Sequence, residues 1–149
     1  MPTMIVSLSV AKDLAQIFWY LVGICALVAG VCQYRRSVRL EQMKWAAQLH
    51  EKFFEASTYK KVREIIDCDP PSKKVDRLVR SENSELTDYL NFFELIAVLQ
   101  EKKQVGKAAV WDLFEDYLDC LKKHPSLLQY INTPSRGFQH LRRLLAESK

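Results

Sequence analysis

Apolar residues are spread unevenly along this chain. From Leu14 to Tyr34, LAQIFWYLVGICALVAGVCQY, twenty-one residues pass without a charge, and Arg35, Arg36 and Arg39 follow at once. Wound as a helix, the stretch is about 31 Å long at 1.5 Å per residue. That matches a bilayer hydrocarbon core of about 30 Å. The Leu, Ile, Val and Phe residues between Ile17 and Val31 favour insertion by roughly 2.5 to 5 kcal/mol in total. Trp19 and Tyr20 stand near one end and Tyr34 at the other, where interfacial aromatics belong. A cleaved export signal would carry its basic residues before the apolar run, not after it. Lipoprotein processing needs a small residue ahead of the cysteine, but Ile24 and Val31 precede Cys25 and Cys32. A buried core helix of a 149-residue chain would seldom hide so long an uncharged segment. The pattern predicts one membrane-spanning helix over 14–34.

Beyond the span, apolar positions recur with helical spacing. Met43, Ala46, Ala47, Phe53 and Phe54, with His50 among them, form a stripe between Ser37 and Ala56. No glycine or proline separates that stripe from the span, so one helix can run through both. KKVREII, from Lys60 to Ile66, predicts a further helical piece, and DCDPPSKK is the clearest break. VDRLVR reads as a short basic segment. In SENSELTDYLNFFELIAVLQEKK, Ser81 or Ser84 can cap a helix that is apolar nearly all round between Tyr89 and Leu99, as a central buried helix is. KQVGK predicts a stop and turn at Gly106. Val110, Phe114, Tyr117, Leu118 and Leu121 make an amphipathic stripe, SLLQYINT is turn-rich, and a last helix is expected over 135–147 with Phe138, Leu141 and Leu145 on one side. No alternating pattern suggests a strand. The expected fold is all-α: one N-terminal transmembrane helix followed by an antiparallel helical cytosolic bundle. Its parts are a tail over 1–13, the span over 14–34, a basic juxtamembrane segment and helix over 35–56, and a helical domain over 57–149.

Charge adds an orientation. Arg35, Arg36, Arg39 and Lys44 flank the span on one side, against Lys12 and the amino terminus on the other. The positive-inside rule then places the N-terminus outside and the C-terminal domain in the cytoplasm, at a plasma (bacterial inner) membrane. The same cations suit anionic lipid headgroups, at about 1 kcal/mol each, or serve topology alone. Gly23, Ala26 and Gly30 share a face of the span, and the small pair at Ala26 and Gly30 permits a second helix to approach, so a homodimer through the span is one expected partner. The net charge of +4 is too mild, and its basic residues too mixed with acidic ones, to suggest nucleic acid.

Candidate chemistry is sparse. Cys25, Cys32, Cys68 and Cys120 form no C-x-x-C pair and suit reduced thiols facing a cytosol. HEKFFE at His50 lacks the second histidine of a zinc protease motif, so neither a metal nor another cofactor is expected. His50 lies on an apolar stripe, where a hydrogen-bonded core histidine is the expectation. Glu94 is the most informative polar residue. It sits within YLNFFELIAVL, with Asn91 one turn earlier on the same face, and a carboxylate there needs a partner. Arg63 and Arg136 are the candidates. Together these four residues make either a structural ion pair between helices or a polar site for a ligand or an acid–base step.

LNFFELIAVLQEKKQV resembles the LN-x-F/Y-E-x-I-A signature of small bacterial and phage-associated membrane proteins grouped as a domain of unknown function. FFEASTYKKVREII, WDLFEDYLDCL and GFQHLRRLL fall where similar elements occur in that family, so the resemblance covers 42–145. It implies an N-terminal span with a helical cytosolic domain, and it implies no activity or cofactor. Taken together, the expected function is a non-enzymatic, membrane-anchored helical module that binds an unidentified protein partner. The alternative is a ligand sensor or enzyme built around Glu94. If the small-residue face of the span packs against a second copy, Gly30→Ile will lower the yield of crosslinked dimer in membranes, and an unchanged yield removes that face from consideration.

Overall fold

A computed structural model of the chain describes residues 2–67, 73–81 and 83–147, with side chains from residue 16 onward. Most of the described residues are helical, and no strand occurs among them. α1 (Pro2–Glu55) is a single helix of 54 residues. α2 (Ser57–Ile66), α3 (Lys73–Arg80), α4 (Ser84–Glu101), α5 (Lys107–Lys123), α6 (Pro125–Asn132) and α7 (Gln139–Glu147) follow, with a 3-10 turn over Pro134–Arg136. The chain divides into two compact units, Met1–Leu40 and Glu41–Lys149.

The first unit holds one helix long and apolar enough to cross a membrane. Its most apolar window is 0% buried by the rest of the protein. Ile17, Phe18, Trp19, Tyr20, Leu21, Ile24, Leu27, Val28 and Val31 are all exposed. Gly23 and Gly30 face open space, and a Cβ added at either meets nothing within 4 Å. The helix begins at Pro2, so 1–13, expected as a tail, is helical in its backbone from that residue.

The second unit starts at Glu41, which places most of the expected juxtamembrane helix in the folded domain. The stripe that α1 buries is Ala46, Leu49 and Phe53, whereas Met43, Ala47 and Phe54 are exposed. The expected stripe is thus rotated by part of a turn. Leu49 completes an i, i+3, i+7 row that the eye loses among the larger aromatics. Phe53 is 0% exposed and lies at the centre of a knot of rings. Its centroid is 5.0 Å from Phe92, 4.9 Å from Tyr117, 5.4 Å from Phe93, 5.7 Å from Tyr89 and 5.8 Å from Phe114. The last turn of α1 is therefore packed against residues of α4 and α5.

α4 is the central helix, as its sequence predicts. It buries Leu86, Tyr89, Leu90, Phe92, Phe93, Ile96 and Ala97, packs chiefly on α7, and also touches α2 and α5. Its N-cap is Asn83 rather than either serine; the Asn83 side chain accepts from the Glu85 amide at 2.8 Å. Ser81 instead donates its hydroxyl to the Leu78 carbonyl at 2.9 Å. At the other end, the turn expected at Gly106 begins earlier. Lys103 carries the left-handed conformation, with φ of 58°, while Gly106 has φ of −69° and caps α5. The amide of Gln104 reaches the Leu99 carbonyl at 2.9 Å and that of Lys103 reaches Gln100 at 3.0 Å, the bond pattern of a Schellman stop. A lysine in that conformation costs about 1 kcal/mol or more relative to glycine. Gln42 of α1 donates its amide to the exposed Lys103 carbonyl at 2.7 Å.

Two elements were not expected as helices. VDRLVR belongs to α3, which buries only Val75 and Leu78 and rests against α6. SLLQYINT is mostly α6, opened by Pro125 at its first position, where proline is favoured. The last helix starts at Gln139 rather than Ser135, because Pro134–Arg136 forms the 3-10 turn and Gly137 adopts φ of 84°. The prolines of DCDPPSKK and Cys68 lie outside the described residues.

Candidate functional site

The four residues expected to share a polar site do not assemble into one. Glu94 lies on α4 and points at the start of α7. Its Oε1 accepts from the His140 amide at 3.1 Å and its Oε2 from the Leu141 amide at 2.7 Å. These are amides of the first turn of α7, which no preceding carbonyl can satisfy. A carboxylate there also meets the positive end of the helix dipole. Glu94 is thus a capping group supplied from another helix, and neither Arg63 nor Arg136 pairs with it. Two backbone amides of α7 take the place of the ion pair expected from sequence.

Arg63 lies on α2, buried to 9% exposure. Its guanidinium sits 4.8 Å from the Phe53 ring centroid and 4.4 Å from that of Phe54. Nη1 donates to the Phe53 carbonyl at 3.3 Å. A cation over aromatic faces and against the last carbonyls of a helix is doubly favoured. Arg63 therefore fastens the end of α1. Asn91 is exposed on α4, beside a hollow lined by Tyr59, Asp88, Phe92 and Leu95. Arg136 lies in the 3-10 turn, stacked at 4.1 Å over the Tyr130 ring, and donates to the Tyr130 hydroxyl at 2.8 Å. Arg35, Arg36, Arg39 and Lys44, expected to flank a membrane, are all exposed.

The sequence reading missed what lies one to two turns beyond Glu94. Glu101, at i+7 on α4, accepts from His140 Nδ1 at 2.6 Å and from Arg143 Nη1 at 3.3 Å. The His140 hydrogen bond, with the His140 and Arg143 charges behind it, holds the Glu101 carboxyl below its ordinary range. Nearby, Lys107 donates to Glu147 at 2.8 Å. These pairs rim a cavity of about 510 Å³, with Ala97, Val105 and Leu144 among its walls and Gln42 at its edge. A signal for it existed: carboxylates seven apart on one helix, and a histidine and arginine three apart on another, each make a row.

A second polar group of consequence is Tyr89, fully buried on α4. Its hydroxyl has no hydrogen-bond partner among the described residues. Burial pushes the phenol well above its ordinary value of 10.0, and the Asp67 charge adds to the effect. Burial also raises Asp67 and the Cys120 thiol, against the Cys120 hydrogen bond and the Arg63 charge that lower Asp67. His124, 3% exposed, has its Nε2 at 2.8 Å from the Ile66 carbonyl and ties α5 and α6 to α2. His50 is half-buried and makes ring contacts, 4.5 Å to Phe54 and 5.9 Å to Phe114, instead of the expected hydrogen bond. No group of three metal-ligating side chains is found among the described residues.

No protein-family model matches this chain, and no curated protein or solved structure matches it either. The positions behind the LN-x-F/Y-E-x-I-A resemblance, Leu90, Phe93, Ile96 and Ala97, are core residues of α4. Helical cores in general favour such residues at such spacing.

Two substitutions test these assignments. Glu94→Ala, read by urea unfolding of the full chain in detergent, will lower stability by roughly 1–2 kcal/mol, and Glu94→Gln by less; an unchanged midpoint would show that α7 needs no cap from α4. Tyr89→Phe will leave stability at pH 7 unchanged or raise it by about 1 kcal/mol, because a buried hydroxyl without a partner is lost. The folded phenol is raised, so its contribution is intact below the ordinary value of 10.0 and is lost as pH rises above it. The phenylalanine variant will therefore show a shallower fall in stability between pH 9 and 11, and an equally steep fall would assign that loss to other groups.

Proposed function

We propose that this protein is a single-span membrane protein whose second unit is a helical module for binding other molecules in the cytoplasm of a bacterium. The observation that carries this reading is the exposure of the uncharged stretch of α1 from Gln16 to Tyr34. In water, a contiguous apolar surface of that size would be far beyond what a soluble monomer tolerates. In a bilayer it needs no cover, and the continuous helix satisfies every backbone group. Arg35, Arg36 and Arg39 then lie at the cytoplasmic headgroups, with anionic lipid as their natural counterion and the N-terminus outside.

The second unit has its own core, centred on Phe53 and α4, so it folds around something other than the span. Short connections such as 102–106 between α4 and α5 suit antiparallel neighbours in a bundle. A protein partner, and a second copy held through Gly23, Ala26 and Gly30, complete this reading. A second reading, a small-ligand sensor, is favoured by the cavity of about 510 Å³ between α4, α5 and α7, with polar rim and apolar wall. On the first reading, the full-length chain will stay with membranes in alkaline carbonate and a C-terminal fluorescent reporter will light up in the cytosol. Release into the carbonate supernatant, or activity of a C-terminal phosphatase reporter outside the cytosol, would overturn it.

A further inference from the structure

We infer that the groove between α3, α6 and the 3-10 turn is a binding site for a phosphate monoester. The groove encloses about 460 Å³ and is lined by Asp76, Val79, Arg80, Ser126, Gln129, Tyr130, Thr133 and Arg136, a mostly polar wall. Its volume is within the range of ordinary small-molecule sites. Among the described residues that line it, the charged groups are the guanidiniums of Arg80 and Arg136 and the carboxylate of Asp76. α3 extends the positive field, since Lys73, Lys74 and Arg77 are exposed beside Arg80, and a second hollow shares Asp76 and Arg80 with the first.

The two arginines differ in a way that suits recognition. Arg136 is held in place: its guanidinium stacks on the Tyr130 ring and donates to the Tyr130 hydroxyl. That hydroxyl lies 3.3 Å from Thr87 Oγ1 on α4, so the anchor is itself tied to the central helix. Tyr130 is 7% exposed and packed in the core. Ordering Arg136 in advance lowers the entropy lost when it binds. Arg80, by contrast, makes no hydrogen bond or ion pair among the described residues and is exposed at the groove. A planar fork of N–H donors matches the oxygens of a phosphate better than a point charge does. A phosphate monoester carries nearly two negative charges at neutral pH and three terminal acceptors. Ser126, Gln129 and Thr133 supply neutral polar groups for the rest of such a ligand. A carboxylate would offer two acceptors and one charge to the same pair of arginines. The phosphate can belong to a soluble metabolite or to a lipid headgroup.

Calorimetry on the full chain in neutral detergent micelles separates these sources and does not require that α1 spans a bilayer. Glycerol 3-phosphate probes the soluble source and dioctanoyl phosphatidic acid the lipid source. Saturable binding of either, weakened roughly tenfold or more by Arg80→Gln, is the expected result. Arg136→Gln will act in the same direction, and Tyr130→Phe will weaken binding to a smaller degree by releasing Arg136. Because Arg80 is exposed, its variant keeps the test decisive even if the Arg136 variant folds poorly. Binding of the soluble ester alone, of the lipid alone or of both identifies the source. Absence of binding to both, affinity retained in Arg80→Gln, or affinity lost instead in an Arg35→Gln, Arg36→Gln double variant would each overturn the assignment.

Discussion

The second unit depends on the contact of one ring with many. Phe53 comes from the last turn of the helix that carries the uncharged stretch, yet its ring is enclosed by aromatic side chains of α4 and α5. Edge and tilted ring pairs each add about 0.5–1.5 kcal/mol beyond the area they bury. Losing a buried phenylalanine of this kind typically costs 3–5 kcal/mol. Arg63 reinforces the arrangement by covering Phe53 and Phe54 and binding the Phe53 carbonyl. Gln42, eleven residues earlier, holds α1 to the α4–α5 turn. The C-terminal part of α1, from Glu41 on, is thus a structural member of the domain's core.

The polar chemistry divides into closed and open parts. Glu94, His124 and Arg63 spend their capacity on backbone groups of other helices. Each bond joins one helix to another. Tyr89 is the exception within the core, a hydroxyl buried without a partner beside the Asp67 and Cys120 pair. The open chemistry lies at the helix surfaces: the acid–base rim formed by Glu101, His140 and Arg143, and the basic groove of α3 and α6. A molecule that meets this domain meets those surfaces first.

Much of the architecture was legible because it rests on periodicity. The uncharged run, the central character of α4 and the stripe of α5 are all patterns of residue type along the chain. What escaped is chemistry that periodicity does not encode. α3 offers two buried residues in eight, too few to announce a helix against its cations. Asn83 rather than either serine caps α4, its side-chain carbonyl accepting from the Glu85 amide, and Lys103 rather than Gly106 takes the left-handed position. Glu94 was recognised as needing a partner, but the partner was a pair of backbone amides 46 and 47 residues away, which no side-chain identity betrays. Arg63 was matched to a carboxylate when aromatic faces satisfied it. For Glu94 and Arg63 the competing group was backbone or ring, neither of which advertises charge.

The sharing of α1 between its two units has a consequence for proteolysis. Hydrolysis of the peptide bond just after Leu40 separates the units where they divide, and the released fragment retains Gln42, Ala46, Leu49 and Phe53. Hydrolysis two turns further on, past Leu49, strips two core side chains and the Gln42 tether from the fragment. A protease that cuts this helix near Leu40 therefore releases a unit with its core complete, and one that cuts past Ala46 releases a unit short of core side chains.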